Sequence, residues 1–309
     1  MEANPRGGEQ AAATGRFRPV GIGLACALSS GVCFSVSTVC AQKALDAGVP
    51  VVLVAGARPT IACVLLILVT ATAGRQAIPG RARLRLMGVG LFTAAQIFLL
   101  YQSVERISAP LAVLLLYSYP ALVAVLCMTF LRERPGPVKL AAVAVSLGGA
   151  VLIVGAPVGR ANTIGFACGL GAGLCLAIYI VLSSRATRGI KPFTAVTWIQ
   201  AGAGLVYLPA LAATATSRAA PAGLGWLLPV GLSAGLATAL FLTSLQRLGP
   251  TTASVASTIE PVSTALLSAA VLGITLTDRQ AYGGLLIVGA LVLISLDGTR
   301  RRRAPVSSP

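Results

Sequence analysis

Histidine is absent from all 309 residues, and only eight side chains are acidic. The first absence removes the commonest metal ligand and neutral-pH general base. The second leaves no cluster of carboxylates in any apolar run to hold a metal or carry acid–base chemistry. No glycine-rich phosphate loop of the Walker type occurs, which excludes ATP as a direct energy source. Seven cysteines are present, all inside apolar runs and without a short Cys-x-x-Cys pair. Cys26, Cys33 and Cys40 recur every seven residues, and Cys168 and Cys175 repeat the first two. They read as small packing residues and not as a metal or redox line, so no cofactor is expected.

What the chain has in abundance is apolar surface. Hydrophobic residues make up 56% of it and charged residues only 10%. A transmembrane helix needs about 20 apolar residues to cross roughly 30 Å of hydrocarbon. Ten runs qualify, at 19–41, 50–73, 86–104, 109–131, 138–156, 163–183, 193–214, 223–245, 251–273 and 279–296. The fold class is therefore an all-α integral membrane protein embedded in a lipid bilayer.

The net charge of +16 does not mark a nucleic-acid partner. With ten spans and an inside N-terminus, eighteen of the basic residues fall in cytoplasmic segments, among them Arg75, Arg81, Arg83, Arg85, Arg132, Arg134, Arg185 and Arg300 to Arg303. Five fall outside, at Lys43, Arg106, Arg160, Arg218 and Arg279. That asymmetry is the positive-inside pattern, and it places both termini in the cytoplasm of a multi-pass protein of the cytoplasmic membrane. Residues 1–18 read as a polar tail before an uncleaved first span, and residues 298–309 as a short, basic, disordered tail.

The chain also repeats itself. Residues 101–155 slide onto 242–296 without gaps, aligning Ser103 with Ser244, Arg106 with Arg247, Pro120 with Pro261 and Gly148 with Gly289. One residue more of offset aligns Gly23, Cys26, Gly31 and Cys33 with Gly165, Cys168, Gly173 and Cys175. The units are 19–156 and 163–296, with five spans each. Five is odd, so the second unit enters the membrane from the opposite side. Inverted repeats of this kind build one central site with two alternative exits, as in many secondary transporters.

In these features the chain resembles the EamA-like branch of the drug/metabolite transporter superfamily. The resemblance runs from about residue 19 to 297. It is carried by APLAVLLLYSYPAL at 109–122, LRER at 131–134, STIEPV at 257–262 and LGITLT at 272–277. It implies transport of a small metabolite or drug-like compound, most often export. The family's glutamate after the fourth span is matched by Glu133, but Ile274 stands where the ninth span would carry its mate.

Only two charges stand well inside a span, Arg58 and Glu260. A charge at mid-membrane costs about 2.5–3.5 kcal/mol even on the mildest scale, so each needs a reason. Each lies about nine residues from its span's start, which at about 1.5 Å per residue puts both near the midplane. Each directly precedes a proline, Pro59 or Pro261. Pro120 is placed likewise after Tyr119, the repeat mate of Glu260, so the repeat sets an aromatic hydroxyl opposite the carboxylate across the pseudo-symmetry axis. All three prolines are expected to kink their helices and to free the carbonyls of Ala55, Leu116 and Ser257 toward a cavity.

Ser257, Glu260, Thr264 and Ser268 form a polar stripe on one helical face. There a carboxylate can bind a substrate amine or take up a coupling proton; the alternative is a permanent Glu260–Arg58 pair. Tyr117, Tyr101, Gln96 and Gln102 are weaker candidates, with Gln200 at the repeat position of Arg58. Gly165, Gly169 and Gly173, with Gly23, Ala27 and Gly31 as their mates, read as close-approach faces. Trp198 and Trp226 are expected at the interface. The expected partners are a small-molecule substrate and, as a coupling ion, the proton. An integral-membrane enzyme and a membrane scaffold are the competing classes. The missing histidine argues against the first and the short loops against the second.

Overall fold

The computed structural model describes residues 6–72, 76–107, 109–132, 135–154, 162–214, 221–272 and 277–303. Glu133, Arg134, Ile274, Arg75, Arg160 and Arg218, all singled out in the sequence, lie outside the described residues. Among the described residues, ten segments are long and apolar enough to cross a membrane. The helices are α1 (Arg6–Asp46), α2 (Val51–Thr72), α3 (Gly80–Val104), α4 (Ala109–Leu116), α5 (Tyr119–Phe130), α6 (Pro137–Val154) and α7 (Thr163–Ala186). They continue as α8 (Pro192–Thr214), the single turn α9 (Pro221–Leu224), α10 (Leu227–Leu248), α11 (Pro250–Ala256), α12 (Ile259–Leu272) and α13 (Asp278–Arg303).

Three sequence expectations need correction. Span three begins at Gly80 rather than 86, because Pro79 sets an extended backbone at the N-cap and the arginines that follow are good helix formers. Span ten continues as helix to Arg303, so residues 298–303 are not a disordered tail. Spans four and nine are broken in two rather than kinked. The breaks at 117–118 and 257–258 precede Pro120 and Pro261, which fall in the first turns of α5 and α12, where a missing N–H costs no hydrogen bond.

The two halves interlock. The most extensive helix contacts are α1 on α10, α6 on α13, α3 on α7 and α2 on α8. Each pairs a helix of the first repeat with one of the second. Span one is the mate of span six and span three of span eight, so α1–α10 and α3–α7 are one interface formed twice. Gly23 faces Arg247 and Leu248 across the first, and Gly165 faces Arg106 and Ile107 across the second. Hydroxyls hold these seams: Ser30 donates to the Ala237 carbonyl at 2.8 Å, Ser37 to Val230 at 3.0 Å and Ser103 to Gly165 at 2.7 Å. Lipid supplies no hydrophobic force between helices, so close packing and such bonds carry the association. Outward faces stay apolar, with Phe98, Leu68 and Leu285 exposed.

About two turns further along, the same glycine faces receive the broken spans. A Cβ on Gly173 would stand 2.8 Å from the Ser118 hydroxyl and 3.1 Å from the carbonyls of Leu115 and Leu116. A Cβ on Gly31 would collide with Ile259 and lie 3.2 Å from the Glu260 amide nitrogen. Only a hydrogen at these positions lets the breaks seat.

One end of the bundle carries Arg81, Arg83, Arg85, Arg132, Lys139, Arg185, Arg188, Lys191 and Arg247; we call it the basic end. The largest apolar cluster fills that half, with Leu86, Val123, Ile199, Leu242 and Leu245 fully or almost fully buried. Polar bridges between the halves lie over it. Gln76 donates to the Gly189 carbonyl at 3.0 Å and accepts from the Lys191 amide at 2.6 Å. Arg185 donates to the Phe130 carbonyl at 2.9 Å.

Gly173→Ala is expected to cost about 1–3 kcal/mol through overpacking, read as a lower thermal midpoint of the detergent-solubilised protein. At Gly88 an added methyl meets nothing within 4 Å. Gly88→Ala should therefore leave the midpoint unchanged or raise it, by up to about 1 kcal/mol of helix preference. Equal destabilisation at both positions would contradict the seating of the break on Gly173.

Candidate functional site

A cavity of about 570 Å³ lies between the halves, displaced toward the end opposite the basic one. Arg58, Gln96, Tyr117, Tyr119, Gln200, Ser257, Glu260 and Thr264 all line it, together with Pro59, Pro261 and Ser268. Pro120 does not. The polar stripe of span nine thus faces one chamber, although the span is broken beside Ser257. Tyr101 and Gln102 are elsewhere. Tyr101 packs beside Tyr207, and Gln102 joins Glu105 and Arg106 in an exposed polar group.

The lining obeys the repeat. Phe34 and Leu176, Thr38 and Ile180, Arg58 and Gln200, Leu116 and Ser257, and Tyr119 and Glu260 are mates, and every one of these residues lines the cavity. The chamber therefore straddles the pseudo-two-fold axis, where inverted-repeat transporters place their sites.

Adjacent residues of α1 organise the two charges. The Arg58 guanidinium lies over the Phe34 ring, 5.2 Å from its centroid, a cation–π contact that steadies it. Ser35, fully buried, donates toward the carbonyls of Gly31 at 2.9 Å and Glu260 at 3.0 Å and accepts from the Thr264 hydroxyl at 3.0 Å. Glu260 is thereby fixed through its backbone, and its carboxylate is left to the cavity. Among the described residues the one ion pair is Arg106–Glu105 at 3.7 Å. Arg58 and Glu260 share the chamber, and no salt bridge joins them in this structure.

The tyrosines divide their work. Tyr119 is buried and its hydroxyl donates to the Ser254 carbonyl at 3.1 Å, tying α5 to α11 across the pseudo-axis. It does not bond Glu260, the partner that the repeat suggests. Tyr117 lies in the break, its ring centroid 6.3 Å from that of Tyr119. The carbonyl of Ser257 is not freed into the cavity either. It accepts the Glu260 amide at 3.1 Å, because the break lets a tighter turn close over it. Ala55 and Pro59 remain inside the unbroken α2.

Sequence reasoning missed Phe34, Ser35, Thr38, Thr93, Tyr179, Phe241 and Thr238. Ser35 was legible as the residue four after Gly31. The aromatic members carry no such signal. Trp226 sits at a helix start and is partly exposed, as an interfacial side chain should be. Trp198 is in the second turn of α8, with the guanidinium of Arg83, a residue of the basic end, 5.2 Å from its ring centroid.

The chain is similar to known transporters along most of its length. The model of the EamA-like transporter family matches residues 21–155 and again 163–296. The uncharacterized inner membrane transporter YicL of Salmonella typhimurium is 33% identical over 223 residues, covering 70% of this chain and 73% of that protein. The threonine/homoserine exporter RhtA of Escherichia coli K12 is 30% identical over 223 residues, covering 70% and 71%. One solved crystal structure, at 20% identity, shares the fold with a TM-score of 0.76 over 90% of this chain and 98% of the other. Ten apolar helices in two inverted halves, a chamber on their pseudo-axis and two family matches in tandem make this chain a member of the EamA-like transporter family.

Proposed function

We propose that the protein is a secondary active exporter of a small zwitterionic metabolite, an amino acid in the first instance, working by alternating access across the cytoplasmic membrane. The observation that carries this reading is the chamber holding Arg58 and Glu260 without a bond between them. A zwitterion fits it in one orientation, with its carboxylate on the guanidinium and its ammonium on the carboxylate. About 570 Å³ suits a small ligand. The similarity to RhtA, a threonine/homoserine exporter, leans the same way.

The basic end is read as cytoplasmic by the positive-inside rule, which places both termini inside. The chamber then lies toward the outer face, and the packed, bridged half closes the inner one. This arrangement supports an outward-facing state. Export would end here, with the substrate leaving and Glu260 losing its counter-charge. A proton from outside can replace the substrate ammonium on Glu260, discharging the carboxylate before the site turns inward. That exchange couples export to proton entry.

Reconstitution into proteoliposomes tests the proposal. Wild-type protein is expected to move labelled threonine, homoserine or alanine when a pH gradient is imposed. Glu260→Gln should lose gradient-driven accumulation by at least about tenfold, the scale on which removal of one partner of a buried charge contact acts. Arg58→Gln should raise the substrate concentration needed for half-maximal transport. Unchanged rates and pH dependence in Glu260→Gln would rule out coupling through that residue. A C-terminal green-fluorescent fusion should fluoresce and a C-terminal alkaline phosphatase fusion should be inactive; the opposite pair of results would overturn the orientation.

A further inference from the structure

Buried hydroxyls in this protein are mostly satisfied by their own helix. Ser35, Thr70, Thr187, Thr197, Thr238 and Ser257 each donate to the carbonyl four residues back, at 2.7–3.0 Å. Such back-bonding is the ordinary resting place of a hydroxyl in an apolar helix. Thr93 departs from the pattern, as do Thr60, Ser118, Ser183, Ser244 and Tyr179, and of these serines and threonines only Thr93 lines the chamber among the described residues. Its hydroxyl is buried, lines the chamber and has no hydrogen-bond partner among the described residues.

Gln200 departs further. It is 3% exposed, lines the same chamber, and its Oε1 has no partner. A buried acceptor left unpaired is destabilising, and a leucine there would avoid that cost.

The packing brings these two groups to one wall. A Cβ on Gly90 would collide with the Ile199 carbonyl and stand 2.9 Å from the Ala203 nitrogen, so α3 and α8 cross at backbone contact beside Gln200. Thr93 is one turn beyond Gly90, facing the chamber. On α2, Gly204 of α8 meets Thr60, two residues from Arg58. The Thr93–Gln200 wall therefore adjoins the Arg58 pole, and Glu260 stands on α12, which has no extensive contact with α2 or α3.

We infer that Gln200 and Thr93 form the side-chain subsite of the chamber and that it selects amino acids bearing a side-chain hydroxyl. This rests on the amino-acid reading above and adds its third point of attachment. A hydroxyl is donor and acceptor at once, so it can donate to Gln200 Oε1 while accepting from the Thr93 hydroxyl. A methyl or methylene in the same volume can do neither and leaves both groups unpaired. Sites built to bond a substrate hydroxyl reject the apolar analogue far more strongly than apolar pockets reject an added hydroxyl.

Exchange transport by the full chain in proteoliposomes tests this with isosteric pairs: homoserine against norvaline, and threonine against valine. Wild type is expected to favour the hydroxylated member by at least about tenfold in transport efficiency. Thr93→Val and Gln200→Leu should bring the ratio toward one while norvaline and valine transport is kept or increased. A thermal readout separates this from a structural role. Because the Thr93 hydroxyl and Gln200 Oε1 have no partner, both variants should melt no lower than wild type without ligand. Homoserine should raise the wild-type midpoint and leave that of the variants unmoved. If Gln200→Leu does not fold, the near-isosteric Thr93→Val and Gln200→Met carry the test. A wild-type ratio near one, or a ratio that survives in the variants, overturns the subsite and leaves the exporter reading standing. Failure of every amino acid to move in wild type overturns both.

Discussion

The rest of the structure depends on two helix breaks held against two glycine faces. At 117–118 and 257–258 a membrane-spanning helix gives up its continuous hydrogen bonding, which hydrocarbon would not tolerate on an exposed face. Gly173 and Gly31 allow the neighbouring helix close enough to wall each break off from lipid. Once the breaks are seated, α5 and α12 restart on Tyr119 and Ile259, and the first turn of each carries the residues that matter. Tyr119 turns one of these into a strut between halves, and Glu260 turns its mate into a charged pole. The repeat supplies one backbone solution twice, and the side chains at matching positions make the two copies do different things.

The same reasoning explains why the chamber is charged but not neutralised. A salt bridge between Arg58 and Glu260 would satisfy both and leave nothing for a ligand. Instead α1 holds them apart. Phe34 takes the guanidinium from one side, and Ser35 anchors the Glu260 backbone from the next position along. Two adjacent side chains thus keep two opposite charges available, and neither carries a charge itself.

Much of this was legible in the sequence, and the parts that were not share a physical cause. Ten spans, inverted halves and the small-residue faces follow from hydropathy and offset alone, because those patterns are set by the bilayer and by backbone approach. Arg58 and Glu260 stood out because charges in apolar runs are rare. Proline marked where spans four and nine deviate, but a proline pattern does not separate a kink from a break. That depends on whether a neighbour such as Gly173 can cover the exposed carbonyls. Tyr119 seemed aimed at Glu260 by symmetry, yet its hydroxyl reaches Ser254, since a buried phenol takes the nearest unpaired carbonyl. Ser35 and Phe34 were hidden because serine and phenylalanine are common in any span, and their roles come from α1 lying between α2 and α12.

The central claim is that the two halves exchange which end is closed around this chamber. Spin labels, placed on an active background whose native cysteines have been replaced, measure it directly. One pair goes at Arg81 and Arg188 on the basic end, and the other at Lys43 and Val271 on the opposite end. Pulsed distance measurements with and without saturating substrate should show the two ends moving in opposite senses, with the Arg81–Arg188 distance growing as the Lys43–Val271 distance shrinks. Distances that stay fixed at both ends, in protein that still transports, would contradict the account.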